Sequence, residues 1–452
     1  MIPAAFKPFL EQTPLCVMTR MTLESLFQPE RLDALFRDTT HKQYEKELLF
    51  SQVVELMMSV VLRVDASVHA AYRKRAGLLP VSDQAIYDKL RCMELPVSAA
   101  LVADSAARVG PVVDALGARL APWLPGYRVK VLDGNHLSAT QRRLQVLRPT
   151  WEAPLPGTVL AVYEPERDLV TQVFLTPDGH AQERSLLNAV LESVRDRDLW
   201  IADRNFCTLG FLFGLAQAGA TFVIRQHGNL PGRLLGKRRA RGRTATGRVY
   251  EQAMALTHAG ATLQVRRVTV VLDQPTRDGD PEIHIATHLP ERSAGAALVA
   301  ELYRKRWTIE NRFYEVTQTL DCEPNTLGYP KAALFAFCLA LVASNAVALL
   351  KASLHAVHGE QVVAEMSSYY MAAEVRQTYV GMMVALPPET WSEFQTLSAS
   401  QLARVLRQMA EHVKPAGYRK AHRGPKKPPP PRDKCKNGGH VSTQRLLDKR
   451  PK

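Results

Sequence analysis

The sequence predicts an α/β protein: a mixed sheet with flanking helices, preceded by a helical amino-terminal region and interrupted by a β-rich insertion. Two patterns carry the prediction. Residues 1–120 hold apolar runs at helical density, whereas from Arg128 onward short β-branched runs end in turns, three in close succession and two alternating with helical segments. Close turns give antiparallel neighbours and intervening helices give parallel ones, so the sheet is mixed.

Residues 48–62 are apolar almost all round and read as the centre of a helical bundle. After Pro80, Ser82 is placed to cap a helix with Ala85, Ile86 and Leu90 on one side. That helix serves equally as a packing element or as the recognition helix of a helix-turn-helix. The first strand, 128–132, ends in Asp133, and 158–164 and 169–176 are two strands joined by the turn 165–168. An amphipathic helix over 181–195, a strand over 199–203, a helix over 208–218 and a strand over 221–225 complete this part.

Residues 228–290 read as the insertion, with alternating runs at 262–272 and 282–287. Its Gly- and Arg-rich run, 236–248, is expected to be a loop disordered until phosphate is present. Residues 332–350 contain no charge over a length that could span a membrane. Ser344 and Asn345 interrupt this run directly after a charged helix, so it reads as a buried core helix. Residues 351–412 are helical, and the Pro-rich 413–452 is expected to be an extended, disordered tail. The domain reading is therefore 1–120, a sheet domain in two parts (121–227 and 291–350), the insertion 228–290, 351–412 and the tail.

With 452 residues, 46% hydrophobic and 23% charged, the chain is long enough for more than one core and is not disordered in general. Its net charge of +14 is concentrated: 413–452 carries +11, 228–250 carries +7, and the rest is slightly acidic. Two such segments suit a phosphate backbone, though a solvated loop and a solubilising tail have the same composition. Six scattered cysteines form no C-x-x-C pair, and the first residues lack the order of a signal peptide, so a reducing cytoplasm is the expected compartment.

Three acids stand out. Asp133 and Asp203 each end a β-branched run, where α/β sheets place their chemistry. Glu310 lies on a predicted helix over 301–317, and Tyr303 and Arg306 precede it at helical spacing, so the three share one face. Asn135 and Asn205, each two residues after an aspartate, could orient the acids, but an Asn there is more often only a turn residue, and both are left outside the site.

This triplet, with Tyr303-x-x-Arg306-x-x-x-Glu310 around its last member, resembles the DDE transposases of the insertion-sequence-four group. Supporting phrases are 202–206, 221–225, 286–290 and 325–330, in family order. The resemblance implies an RNase H-like domain with a five-stranded mixed sheet and a DNA-contacting insertion before the glutamate. It implies that Asp133, Asp203 and Glu310 are catalytic and hold two magnesium or manganese ions. Tyr303 and Arg306 would then contact DNA, to which the insertion's Lys237, Arg238, Arg239, Arg241 and Arg243 add charge. The implied partner is double-stranded DNA, at transposon ends and target, bound by a homodimer in the bacterial nucleoid, with no membrane. Two other readings are a catalytically impaired DNA-binding descendant and a nuclease that cuts without joining. The first is motivated by Thr317, which stands where the family has lysine.

Overall fold

The computed structural model describes residues 4–43, 45–276, 278–319, 325–421, 424 and 439–449. Seven helices come first: α1 (Lys7–Gln12), α2 (Pro14–Leu26), α3 (Pro29–Thr39), α4 (Phe50–Val61), α5 (Val68–Arg75), α6 (Asp83–Cys92) and α7 (Leu95–Leu116). As the sequence predicts, α4 is buried nearly all round, and the Ser82 side chain accepts from the Ala85 amide to cap α6.

The sheet core follows: β1 (Arg128–His136), a short β2 (Ala153–Leu155), β3 (Thr158–Glu164), β4 (Leu169–Thr176), α8 (Leu187–Glu192), β5 (Asp198–Ala202), α9 (Leu209–Gln217) and β6 (Thr221–Arg225). Core strands are ordered β4-β3-β1-β5-β6, with the first three antiparallel and β1, β5 and β6 parallel, an RNase H-like mixed sheet. Side chains alternate along each strand. Val129 and Val131 join one core, while Leu132, Trp200 and Ala202 join the core beneath α8 and α9.

The insertion continues this sheet. β7 (Gly232–Thr244), β8 (Gly247–His258), β9 (Ala261–Leu272) and β10 (Glu282–Thr287) form an antiparallel run whose last strand pairs with β6, giving nine strands. The basic run expected as a disordered loop is instead strand β7, paired with β8. Gly236 and Gly242 take φ of 66° and 109° at its irregularities, and arginines along it reach acids on neighbouring elements.

Next come α10 (Ala296–Lys305), α11 (Trp307–Tyr314), a π-helical turn (Glu315–Thr319), and α12 (Pro330–His358), then α13 (Glu360–Glu365), α14 (Ser368–Ala385) and α15 (Ala399–Ala410). Helix α12 is long and apolar enough to cross a membrane, yet 94% of its most apolar window is buried inside the protein, as predicted for a core helix. The expected disordered tail is ordered at its end. β11 (His440–Ser442) pairs parallel with β2, and α16 (Thr443–Asp448) follows. Residues 422–423, 425–438 and 450–452 of that expectation lie outside the described residues.

Asn345, the polar break in α12, is buried against β4, the edge strand of the sheet. Its Oδ1 accepts from the Val170 N–H and its Nδ2 donates to the Val170 carbonyl, both at 2.9 Å, and to Ser105 Oγ at 2.9 Å. One carboxamide thus satisfies both outward-facing backbone groups of Val170 on this edge. Replacing Asn345 with leucine strands both Val170 groups, and the expected loss is about 2–5 kcal/mol by urea unfolding. A change under about 0.5 kcal/mol would contradict this role.

Candidate active site

β1 and β5 pair in parallel with Leu132 level with Ala202, so Asp133 and Asp203 follow side by side, Asp133 still within β1, which runs on through Asn135 to His136, and Asp203 directly after the end of β5. Both follow residues of the α8–α9 core, so alternation directs both acids to the opposite face, where α10 and α11 lie.

The expected continuous helix is broken at Arg306, between α10 and α11. The Arg306 N–H bonds to the Tyr303 carbonyl and Ile309 N–H to the Arg306 carbonyl, three residues apart in each case, a tightened turn. Tyr303, Arg306 and Glu310 nonetheless reach one patch. Arg306 donates from one terminal nitrogen to Asp133 Oδ2 at 2.5 Å and from the other to Glu310 Oε1 at 2.7 Å. The Tyr303 hydroxyl makes a long contact, 3.4 Å, to Asp203 Oδ1. Tyr303 and Arg306, expected at a DNA backbone, are both only 6% exposed, while the Glu310 side chain is about half exposed.

Burial, reinforced by the charges of Glu310 and Asp203, pushes the Asp133 carboxyl up to about 7 despite the guanidinium beside it. Burial alone would lower Arg306, but Asp133, Tyr303, Asp203 and Glu310 together hold it above its usual value. Burial and the Asp203 charge raise Tyr303 to about 12, so its hydroxyl is neutral.

Three carboxylates are an all-oxygen donor set that suits a hard divalent cation. Among the described residues no three such groups converge as a ready-made metal cluster, because Arg306 supplies the positive charge between Asp133 and Glu310. Its Nε is buried with no acceptor among the described residues. The donor chemistry of the acids suits a cation, and Arg306 stands in the place one would take between Asp133 and Glu310.

Asn205, which the sequence reading leaves out, donates from Nδ2 to Glu183 Oε2 at 2.5 Å, and Arg184 Nε donates to the Asn205 carbonyl at 2.8 Å. The Glu183 carboxylate occupies the space over Gly134, where an added Cβ would lie 1.8 Å from Oε1. It therefore ties the residue after Asp133 to the segment after Asp203. The sequence signal for this brace was the glycine directly after the first acid.

Thr317 lies in the π-helical turn and donates to the Phe313 carbonyl at 3.0 Å. Arg312 cannot replace the family's lysine there: it is buried, bound to Asp168 and to Glu315 Oε2 at 2.5 Å. Of the insertion's predicted DNA contacts, Arg238 meets Glu282 at 3.2 Å, Arg241 meets Glu251 at 2.9 Å, and Arg243 meets Asp273 at 2.6 Å. All three lie on β7 with Lys237 and Arg239, and all five are exposed.

Because the raised Asp133 must lose its proton to ligate a cation, manganese affinity is expected to rise as pH increases, by up to about tenfold per unit, levelling above about 7. The same shift lowers the stability of the metal-free protein as pH rises from about 4 to about 7. Arg306→Gln, which removes the competing charge, is expected to tighten manganese binding and lower metal-free stability in calorimetry. Unchanged affinity would show that Arg306 does not compete for the acids.

Residues 125–346 match the family described as "Transposase DDE domain". Among solved structures, the chain is similar to the "Cryo-EM structure of piggyBac transposase synaptic complex with hairpin DNA", at 10% identity and a TM-score of 0.39, over 88% of this chain and 84% of that one. No curated protein matches it in sequence. With the match spanning β1 through the first half of α12 and the three acids at one corner of the sheet, the chain carries a transposase DDE domain on an RNase H-like core.

Proposed function

We propose that this protein is a DNA transposase that binds the terminal inverted repeats of an insertion sequence and cuts and joins strands at Asp133, Asp203 and Glu310. The observation that carries this reading is the level placement of Asp133 and Asp203 on adjacent parallel strands, with Arg306 linking Asp133 to Glu310, inside a transposase DDE domain.

Asp133, Asp203 and Glu310 would hold magnesium or manganese, which when bound supplies Lewis acidity and neutralises charge on the phosphodiester. The residues of the chain do the rest. Tyr303 orients Asp203, and Arg306 keeps the acids gathered in the metal-free state. Released from them, the guanidinium presents a fork of donors suited to a phosphate. In cleavage a water oxygen attacks phosphorus as the bond to the 3′ oxygen breaks. In joining, that 3′ hydroxyl attacks a target phosphodiester, exchanging one such bond for another. Double-stranded DNA is the partner, and a homodimer would hold the two ends together.

A DNA-binding descendant without catalysis is the second reading. It is favoured by Thr317, whose hydroxyl is committed to the Phe313 carbonyl and offers DNA no charge.

The test is cleavage and joining of labelled DNA bearing the flanking repeats, with magnesium or manganese. Wild type is expected to release 3′ hydroxyl ends and transfer them, and Glu310→Gln to lose at least about 10²-fold in rate, the scale for removing one transition-state stabiliser. Binding without chemistry in both proteins would establish the second reading. In the same assay Thr317→Lys is expected to strengthen DNA binding or strand transfer, and no change in either would argue against Thr317 facing the DNA.

A further inference from the structure

The acids sit at the base of an arm. β1 runs past Asp133 to His136, and beyond it Leu137 N–H donates to the Gly157 carbonyl at 3.2 Å and Thr140 N–H to the Pro154 carbonyl at 3.1 Å. The β1–β3 hairpin therefore continues outward, with its tip at residues 141–152. Thr140 lies seven residues beyond Asp133, so at about 3.3 Å per extended residue the tip begins at most roughly 23 Å from the acid. The arm is braced: β11 pairs with β2, Arg445 donates to Asp178 at 2.8 Å, and Gln141 N–H donates to the Asn325 carbonyl at 2.9 Å.

Arg142, Arg143 and Arg148 are exposed at the tip, beside Trp151 at 89% exposure. Arg142 donates to the backbone carbonyls of Trp151 and Glu152, and Arg143 to the Gln141 side chain at 2.8 Å. Among the described residues none of the three arginines forms an ion pair. On β7, by contrast, Arg238, Arg241 and Arg243 are already paired with acids. An exposed indole and three exposed guanidinium groups free of ion pairs among the described residues, on one braced arm that leads from Asp133, match the chemistry of a nucleic-acid backbone and groove.

We propose that the arm tip is a duplex-binding surface, in which Arg142, Arg143 and Arg148 take backbone phosphates and Trp151 lies against the groove. Resting on the transposase reading above, it places the start of this grip within roughly seven base pairs of the cut, at about 3.4 Å per pair.

The test uses the full-length protein and a mixed-sequence DNA duplex. The dependence of log affinity on log salt is measured for wild type, the Arg142→Ala/Arg143→Ala/Arg148→Ala variant, and Arg148→Glu alone. Three lost phosphate contacts are expected to reduce the slope by about 2.7, and the single reversal by about 0.9 or more. Iodide quenching that distinguishes wild type from Trp151→Phe is expected to disappear when duplex is added. A slope unchanged in both variants, or an indole still open to iodide in the complex, overturns the proposal while leaving the transposase reading intact. Absence of salt-dependent binding by wild type overturns both.

Discussion

A buried guanidinium among carboxylates is the contact on which the rest of this molecule depends. Asp133 is buried beside the charges of Glu310 and Asp203, and Arg306 supplies the cation that links it to Glu310. The corner is assembled from parts that each have another reason to exist. Parallel pairing of β1 and β5 sets two acids level, and α10 and α11, packed across the same sheet, deliver the arginine and the third acid. A buried ion set of this kind adds little net stability and stores a choice of partner for the acids instead.

A second buried arginine anchors the far side of the same helix. Arg312 binds Asp168 in the β3–β4 turn and Glu315, while Lys351 of α12 donates to Glu315 at 2.6 Å. The Tyr163 hydroxyl completes the cluster with a 2.5 Å bond to Asp168, whose φ of 60° closes the turn. α11 is thereby tied to the sheet edge and to the apolar helix behind it, so Glu310 has a fixed base even though its own carboxylate is half exposed. Asn345 serves the same edge from α12, which explains a polar residue in an otherwise apolar run.

Much of this was legible in the sequence, because local pattern and tertiary outcome agree there. The runs leading to Asp133 and Asp203 are strands, though β1 continues past Asp133 to His136 because Asn135, read as a turn residue, pairs with Val159, and the β10 and β6 bounds match the periodicity. What failed to read was decided by distant partners. Composition cast 236–248 as a disordered loop, but pairing with β8 makes most of it strand β7, with acids on other elements neutralising its arginines and two positive-φ glycines at its irregularities. Composition likewise cast the end of the chain as disordered, yet its last described residues find an open edge at β2. The helix predicted over 181–195 shortens to α8 behind a 3-10 turn, where Glu183 and Arg184 engage Asn205. Spacing placed Arg306 on the right face, but whether it met acids or a phosphate was beyond periodicity.

The measurement that most directly tests the account is iron-directed backbone cleavage. Ferrous ion replaces magnesium in the full-length protein, and peroxide generates hydroxyl radicals where the ion is held. The account predicts cuts clustered near Asp133, Asp203 and Glu310 together, suppressed by magnesium and lost in Asp133→Asn. Cuts confined to other segments, or unchanged by that substitution, would contradict the claim that these acids form one cation site.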